Sequence, residues 1–174
     1  GFLPIASEKE EGYLGTFDGR FHVIRNLTID YPKKYVGLFG YVGNENDQAY
    51  VKNVAMIDCE IRGQQNVGGI AGTMGVENLL DPEEDNKDEG ASLLRTSYTV
   101  SAVLIGNTNE GSVTAKKDMV GGIVGQEELG LVTACESYGD VTGVNQVGGI
   151  AGAASAKLRS NWAKCALSGE KYVG

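Results

Sequence analysis

The chain has 174 residues, 41% of them hydrophobic, with 26 glycines and a net charge of −8. That length and apolar content suit one domain with its own core, and no apolar run reaches the ~18 residues of a membrane helix. The acidic balance argues against nucleic acid and anionic membrane as partners. Glycine is at about twice its usual share without a collagen triplet, so the glycines read as corners of a regular structure.

In chain order, the opening Gly1-Phe2-Leu3-Pro4-Ile5 has the character of a piece cut from a longer precursor rather than of a signal peptide. Gly15-Thr16-Phe17-Asp18-Gly19-Arg20-Phe21-His22-Val23-Ile24-Arg25-Asn26-Leu27-Thr28-Ile29 follows, then Val36-Gly37-Leu38-Phe39-Gly40. The second phrase is a relaxed copy of Val-Gly-Gly-Ile-Ala/Val-Gly, which stands at Val67–Gly72, Val120–Gly125 and Val147–Gly152. The chain closes on Tyr172-Val173-Gly174, inside what reads as a fifth copy. A fixed repeat of this length marks a solenoid of stacked units.

The opening valines are separated by 31, 53, 27 and 26 residues. The last two intervals give the bare unit, and the first carries an insertion at Gly43–Gln48. The 53-residue interval Val67–Val120 is either one coil swollen by two loops or two coils with one phrase lost. A match of Ser97-Tyr98 with Ser137-Tyr138 favours one coil, with excess at Asp81–Glu89 and at Gly106–Gly111.

Ahead of each phrase, apolar or small residues alternate with polar ones, as in a strand with one inward face. Counting back from the valine, Ile61, Val141 and Leu167 align, as do Cys59, Gly139 and Cys165, and Ile57, Ser137 and Ala163. Asp58, Glu60, Arg62, Glu136, Tyr138, Asp140, Trp162 and Lys164 fall between them, on an outward face. Gly63, Gly143 and Gly169 recur at a corner open to positive φ. The pairs Gly68-Gly69, Gly121-Gly122 and Gly148-Gly149 are expected to stack at a second corner, letting Val and Ile on either side both point inward.

This pattern of glycine phrases, with the segment Gly15–Ile29 and Val36–Val42, resembles the GLUG-motif repeat proteins across nearly the whole chain. It departs from them at Arg20-Phe21, where the family favours Asn-Gly, and between Thr73 and Asp118. The resemblance implies an all-β, right-handed parallel β-helix of about five to six coils with loop insertions. It further implies a bacterial surface or secreted protein, acting as a stalk or an adhesion module. Similar repeats occur in adhesins and in the non-catalytic region of immunoglobulin A-cleaving metalloproteases. The motif brings no catalytic residue with it. Residues 1–174 are expected to form a single β-helix domain, monomeric and part of a longer protein, extracellular or on the cell surface.

Candidate chemistry is sparse. His22 is the only histidine, too few for a metalloprotease helix or for a catalytic triad with its own base. Glu60 and Asp140 share an outward offset with one coil between them, about 10 Å at two strand spacings, which is marginal for paired carboxylate catalysis. No cofactor is expected. The acidic run Asp81–Glu89 offers oxygen ligands for calcium but lacks the EF-hand spacing, and reads as a solvated loop. Cys59, Cys135 and Cys165 read as buried small hydrophobes without a metal or disulfide pattern. The strongest candidate is aromatic: Tyr98 and Tyr138 at one outward offset, with Trp162 nearby, form an expected contact surface for a host glycan or protein.

Overall fold

The computed structural model describes residues 1–44, 48–76 and 102–174. Alternation and glycine corners in the sequence fold as a right-handed parallel β-helix whose strands fall into five sheets. Sheet I stacks Thr16–Asp18, Ala49–Lys52, Ala102–Ile105, Leu131–Thr133 and Lys157–Arg159. Sheet II stacks Val23–Arg25, Ala55–Ile57, Thr108–Asn109, Glu136–Ser137 and Trp162–Ala163. Sheet III holds Thr28–Asp30, Glu60–Gly63, Ser112–Ala115, Val141–Thr142 and Leu167–Ser168, and sheet IV holds Lys34–Val36, Gln65–Gly68, Val120–Gly121, Asn145–Gly148 and Lys171–Val173. Sheet V has Phe39–Asn44, Ala71–Val76, Val124–Glu127 and Ala151–Ala154. Beneath sheet V the N-terminal segment adds parallel bridges Ile5 to Phe39 and Tyr13 to Val42, and the Tyr13 and Phe17 rings pack on Phe39.

The register decides the ambiguous interval. Val120 pairs directly with Val67 on one side and Val147 on the other, so Val67–Val120 is one coil. Its excess lies between Val76 and Ala102. The second loop expected at Gly106–Gly111 does not exist: Ile105, Thr108 and Val113 pair with Lys52, Ala55 and Ile61, leaving that stretch one residue shorter than the coil below. The match of Ser97-Tyr98 to Ser137-Tyr138 fails too, because Ser137 stands on Asn109, which stands on Met56. For the same reason Ile57 belongs beside Arg25 and not under Ser137. Counting back from the valine assumed equal arcs, and the arcs differ by a residue.

The interior is a set of apolar columns. Val36, Val67, Val120 and Val147 are each at most 1% exposed, and Ile29, Ile61, Val113 and Val141 line the adjacent sheet. Burying each such side chain contributes about 1.5–3 kcal/mol, so the columns carry the fold. Val67 and Ile70, on opposite sides of Gly68-Gly69, are both fully buried.

The glycines serve close approach, not a left-handed backbone. Gly121 pairs in register with Gly68 and Gly148. None of the six paired glycines, and none of Gly63, Gly143 and Gly169, has positive φ. A Cβ on Gly122 would strike Ser137 Oγ and the Gly149 carbonyl, and one on Gly63 would lie 2.8 Å from methyls of both Val36 and Val67. The left-handed positions fall elsewhere. One is the residue just before each valine (Tyr35, Asn66, Met119, Gln146, Tyr172; φ 55–61°). Another is the corner between sheets I and II, at Asn53, Gly106, Ala134 and Ser160.

Candidate functional site

On the outward side of sheet II at the last two coils, two accessible aromatics, Tyr138 and Trp162, come close together. The pairing Glu136 to Trp162 and Ser137 to Ala163 puts Trp162 one rung above Glu136, and Lys164 beside Tyr138. Adjacent rungs lie about 4.8 Å apart, and residues two apart on a strand share a face. Trp162 is 61% exposed and Tyr138 39%. The Tyr138 hydroxyl donates to Glu136 Oε2 at 2.6 Å, which fixes the phenol against the strand. That carboxylate raises the phenol's pKa. Tyr98 lies outside the described residues, and the register removes the offset it was assigned with Tyr138.

Sheet I adds charge to this face. In its last strand Leu158 continues the column of Val132, so Lys157 and Arg159 turn outward over Leu131 and Thr133. Only one corner separates Arg159 from Trp162. Ser160 takes it with φ 54°, and Asn161 locks it: Oδ1 accepts from the Cys135 N–H at 2.9 Å and Nδ2 donates to the Val132 carbonyl at 2.8 Å. Asn107 makes the same latch two coils down, to Val54 N–H at 3.1 Å and Val51 O at 2.8 Å. From the sequence Lys164 was legible as an outward neighbour of Trp162, whereas both asparagines and Arg159 were not. The parallel between Gly106-Asn107-Thr108 and Ser160-Asn161-Trp162 was the available clue.

The remaining candidates are dispersed. Glu60 pairs with Ser112, and Val113 with Val141, so a whole coil separates Glu60 from Asp140. Arg62 engages Glu60 at 2.7 Å. His22 is exposed. Among the described residues no three His, Cys, Asp or Glu side chains come together as a metal-binding group. The calcium candidate Asp81–Glu89 lies outside the described residues. All three cysteines are free, and burial pushes the Cys135 thiol up to about 11. Glu127 is fully buried on sheet V between Met74 and Ala154, and neither carboxylate oxygen has a hydrogen-bond partner among the described residues. Burial pushes its pKa up to about 7.

No family model matches the chain. It is 33% identical to Halomucin of Haloquadratum walsbyi over 73 residues, which is 42% of this chain and 1% of that protein. Among solved structures it is similar to that of "a putative immunoglobulin A1 protease" from Bacteroides ovatus. The TM-score is 0.65 and the identity 22%, over 97% of this chain and 56% of the other. The chain therefore spans a minor part of Halomucin and little more than half of the Bacteroides chain, and the second likeness is one of fold.

Proposed function

We propose that this chain is a non-catalytic β-helix module of the GLUG-repeat type, belonging to a bacterial surface or secreted protein and serving as a stalk or adhesion domain. The observation that carries this reading is the outward pair Tyr138 and Trp162 on a regular rung stack, 39% and 61% exposed. Large aromatics left uncovered on an ordered strand face gain free energy when a partner covers them. The matches to Halomucin and to the Bacteroides fold support placement in large extracellular proteins. The Bacteroides likeness also favours a second reading, in which the module accompanies a protease of the immunoglobulin A type whose catalytic part lies outside this chain.

The test is a binding screen of mucosal proteins and glycans with wild type and a Tyr98→Ala/Tyr138→Ala/Trp162→Ala variant. The reading requires a ligand bound by wild type and released by the variant. Equal binding by both contradicts the contact surface, and cleavage of immunoglobulin A1 by this chain alone contradicts the non-catalytic assignment.

A further inference from the structure

The last coil is electrostatically out of character with the rest of the chain. Residues 157–174 hold four cations (Lys157, Arg159, Lys164, Lys171) and one acid (Glu170), a local +3 in a chain of net −8. Three of the four lie on the outward side of sheets I and II, flanking the only tryptophan in the sequence. Arg159 stands on one side of Trp162 and Lys164 on the other. Neither forms an ion pair within the described residues, where the salt bridges are Arg25–Asp58, Lys52–Asp18 and Arg62–Glu60.

We propose that Arg159, Trp162 and Lys164, with Tyr138 of the coil beneath, form a site for a carboxylated sugar. The inference deepens the adhesion reading and rests on it. An indole face offers a flat apolar platform for the C–H side of a pyranose ring, and Tyr138 widens that platform by one rung. A guanidinium matches a planar carboxylate with two parallel N–H donors, and Lys164 adds a point charge from the other side. Glu136 lies beneath Trp162 with one oxygen already accepting from Tyr138, which leaves it as an acceptor for sugar hydroxyls. The Asn161 latch fixes the corner between the strand of Arg159 and that of Trp162, so the backbone that carries the platform and the fork is set before the ligand arrives. A neutral sugar would use the platform alone.

The test follows Trp162 fluorescence, the sole indole signal, while the chain is titrated with trigalacturonate and with sialyllactose. Maltotriose and lactose are the neutral references. Binding of either acidic probe, with the neutral sugars at least about tenfold weaker (about 1.4 kcal/mol), is expected, and the two acidic arms separate a uronate from a sialate source. Arg159→Gln and Lys164→Gln should each weaken binding about tenfold. Because both side chains are exposed, the melting temperature should stay unchanged. Raising the salt from roughly 50 mM to roughly 0.5 M should weaken the acidic probes and leave neutral sugars unaffected. Neutral sugars binding as well as acidic ones, unchanged affinity in both Gln variants, or no response to either acid would overturn the proposal. A mucosal protein bound through Tyr138 and Trp162 without any sugar response would likewise overturn it, while leaving the adhesion reading standing.

Discussion

Replacing Gly122 with alanine places one methyl group where the rungs have no room for it. The added carbon would meet the Ser137 hydroxyl and the backbone carbonyl of Gly149, with Ser137 Cβ at 2.8 Å. The hydroxyl can rotate aside, but the carbonyl belongs to the next coil and moves only if two rungs part. Overpacking a close-packed interior costs typically 1–3 kcal/mol, and a rigid obstruction puts this case near the top, at about 3 kcal/mol. For a chain of this size each kcal/mol lowers the melting temperature by about 2–4 °C, so a fall of about 6–12 °C is expected. The matched control is Gly106→Asn. Gly106 has φ +65° and its Cβ would meet only the end of the Asn53 side chain, at 3.0 Å. Asn53 occupies the same corner one coil down with φ 56°, so asparagine fits there and should change stability by no more than about 0.5 kcal/mol. Thermal unfolding followed by circular dichroism measures both. If Gly122→Ala is as mild as Gly106→Asn, the glycines are not serving rung-to-rung contact and the reasoning fails.

Gly149→Ala should cost less than Gly122→Ala in the same assay, because its Cβ meets only the Ala163 methyl at 2.6 Å and Cys165 Sγ at 3.8 Å in the last coil. Asn107→Ala removes a latch that is fully buried and leaves the Val54 N–H and Val51 carbonyl without partners. A loss of about 2–4 kcal/mol in denaturant unfolding is expected, exceeding that of Asn161→Ala at the half-buried latch. Glu127 has a folded pKa near 7, above its ordinary 4.5. The folded state therefore holds the proton more tightly, and stability falls as pH rises from about 4.5 to about 7, by at most about 3 kcal/mol. Glu127→Gln should raise the melting temperature at pH 8 and leave it nearly unchanged at pH 4; an equal effect at both would refute the buried carboxylate. Deleting Asp81–Gly90 shortens the connection between Val76 and Ala102 and should cost less than about 1 kcal/mol, since closure entropy changes slowly with length. Unfolding on deletion would contradict that.

The repeated glycine phrase made the fold legible because identical rungs demand identical backbone at the corners, and Val67, Val120 and Val147 do stack as their spacing implies. Positions close to each valine were placed correctly for the same reason: Ile61 and Val141 both lie in the column of Val113. Farther back the count slipped, since Ala55 to Ile61 and Glu136 to Val141 differ by one residue and a corner absorbs the difference. That slip misplaced Ile57; the match of Ser97-Tyr98 to Ser137-Tyr138 rested on dipeptide likeness alone, and Ser137 stands on Asn109 instead. The reason for the glycines was also misread, because crowding by a neighbouring rung leaves no trace in one coil's own sequence. For the candidate site, Trp162 and Tyr138 were visible as outward aromatics. Arg159 was not, because the corner at Ser160 and Asn161 that carries the chain from sheet I to sheet II has no glycine to mark it.

Every placement above depends on one register across the long interval, and a disulfide reads it directly. Glu60 and Ser112 are outward, in-register neighbours on sheet III, separated by that interval in sequence. With both changed to cysteine in a background where the three native cysteines are alanine, the sulfurs fall within bridging range, since in-register neighbours sit about 4.8 Å apart. The account predicts spontaneous oxidation to a 60–112 bridge, seen by peptide mapping, in a protein that melts no lower than its reduced form. If Val67–Val120 held two coils, the positions would lie about 10 Å apart and the bridge would not form in the folded chain.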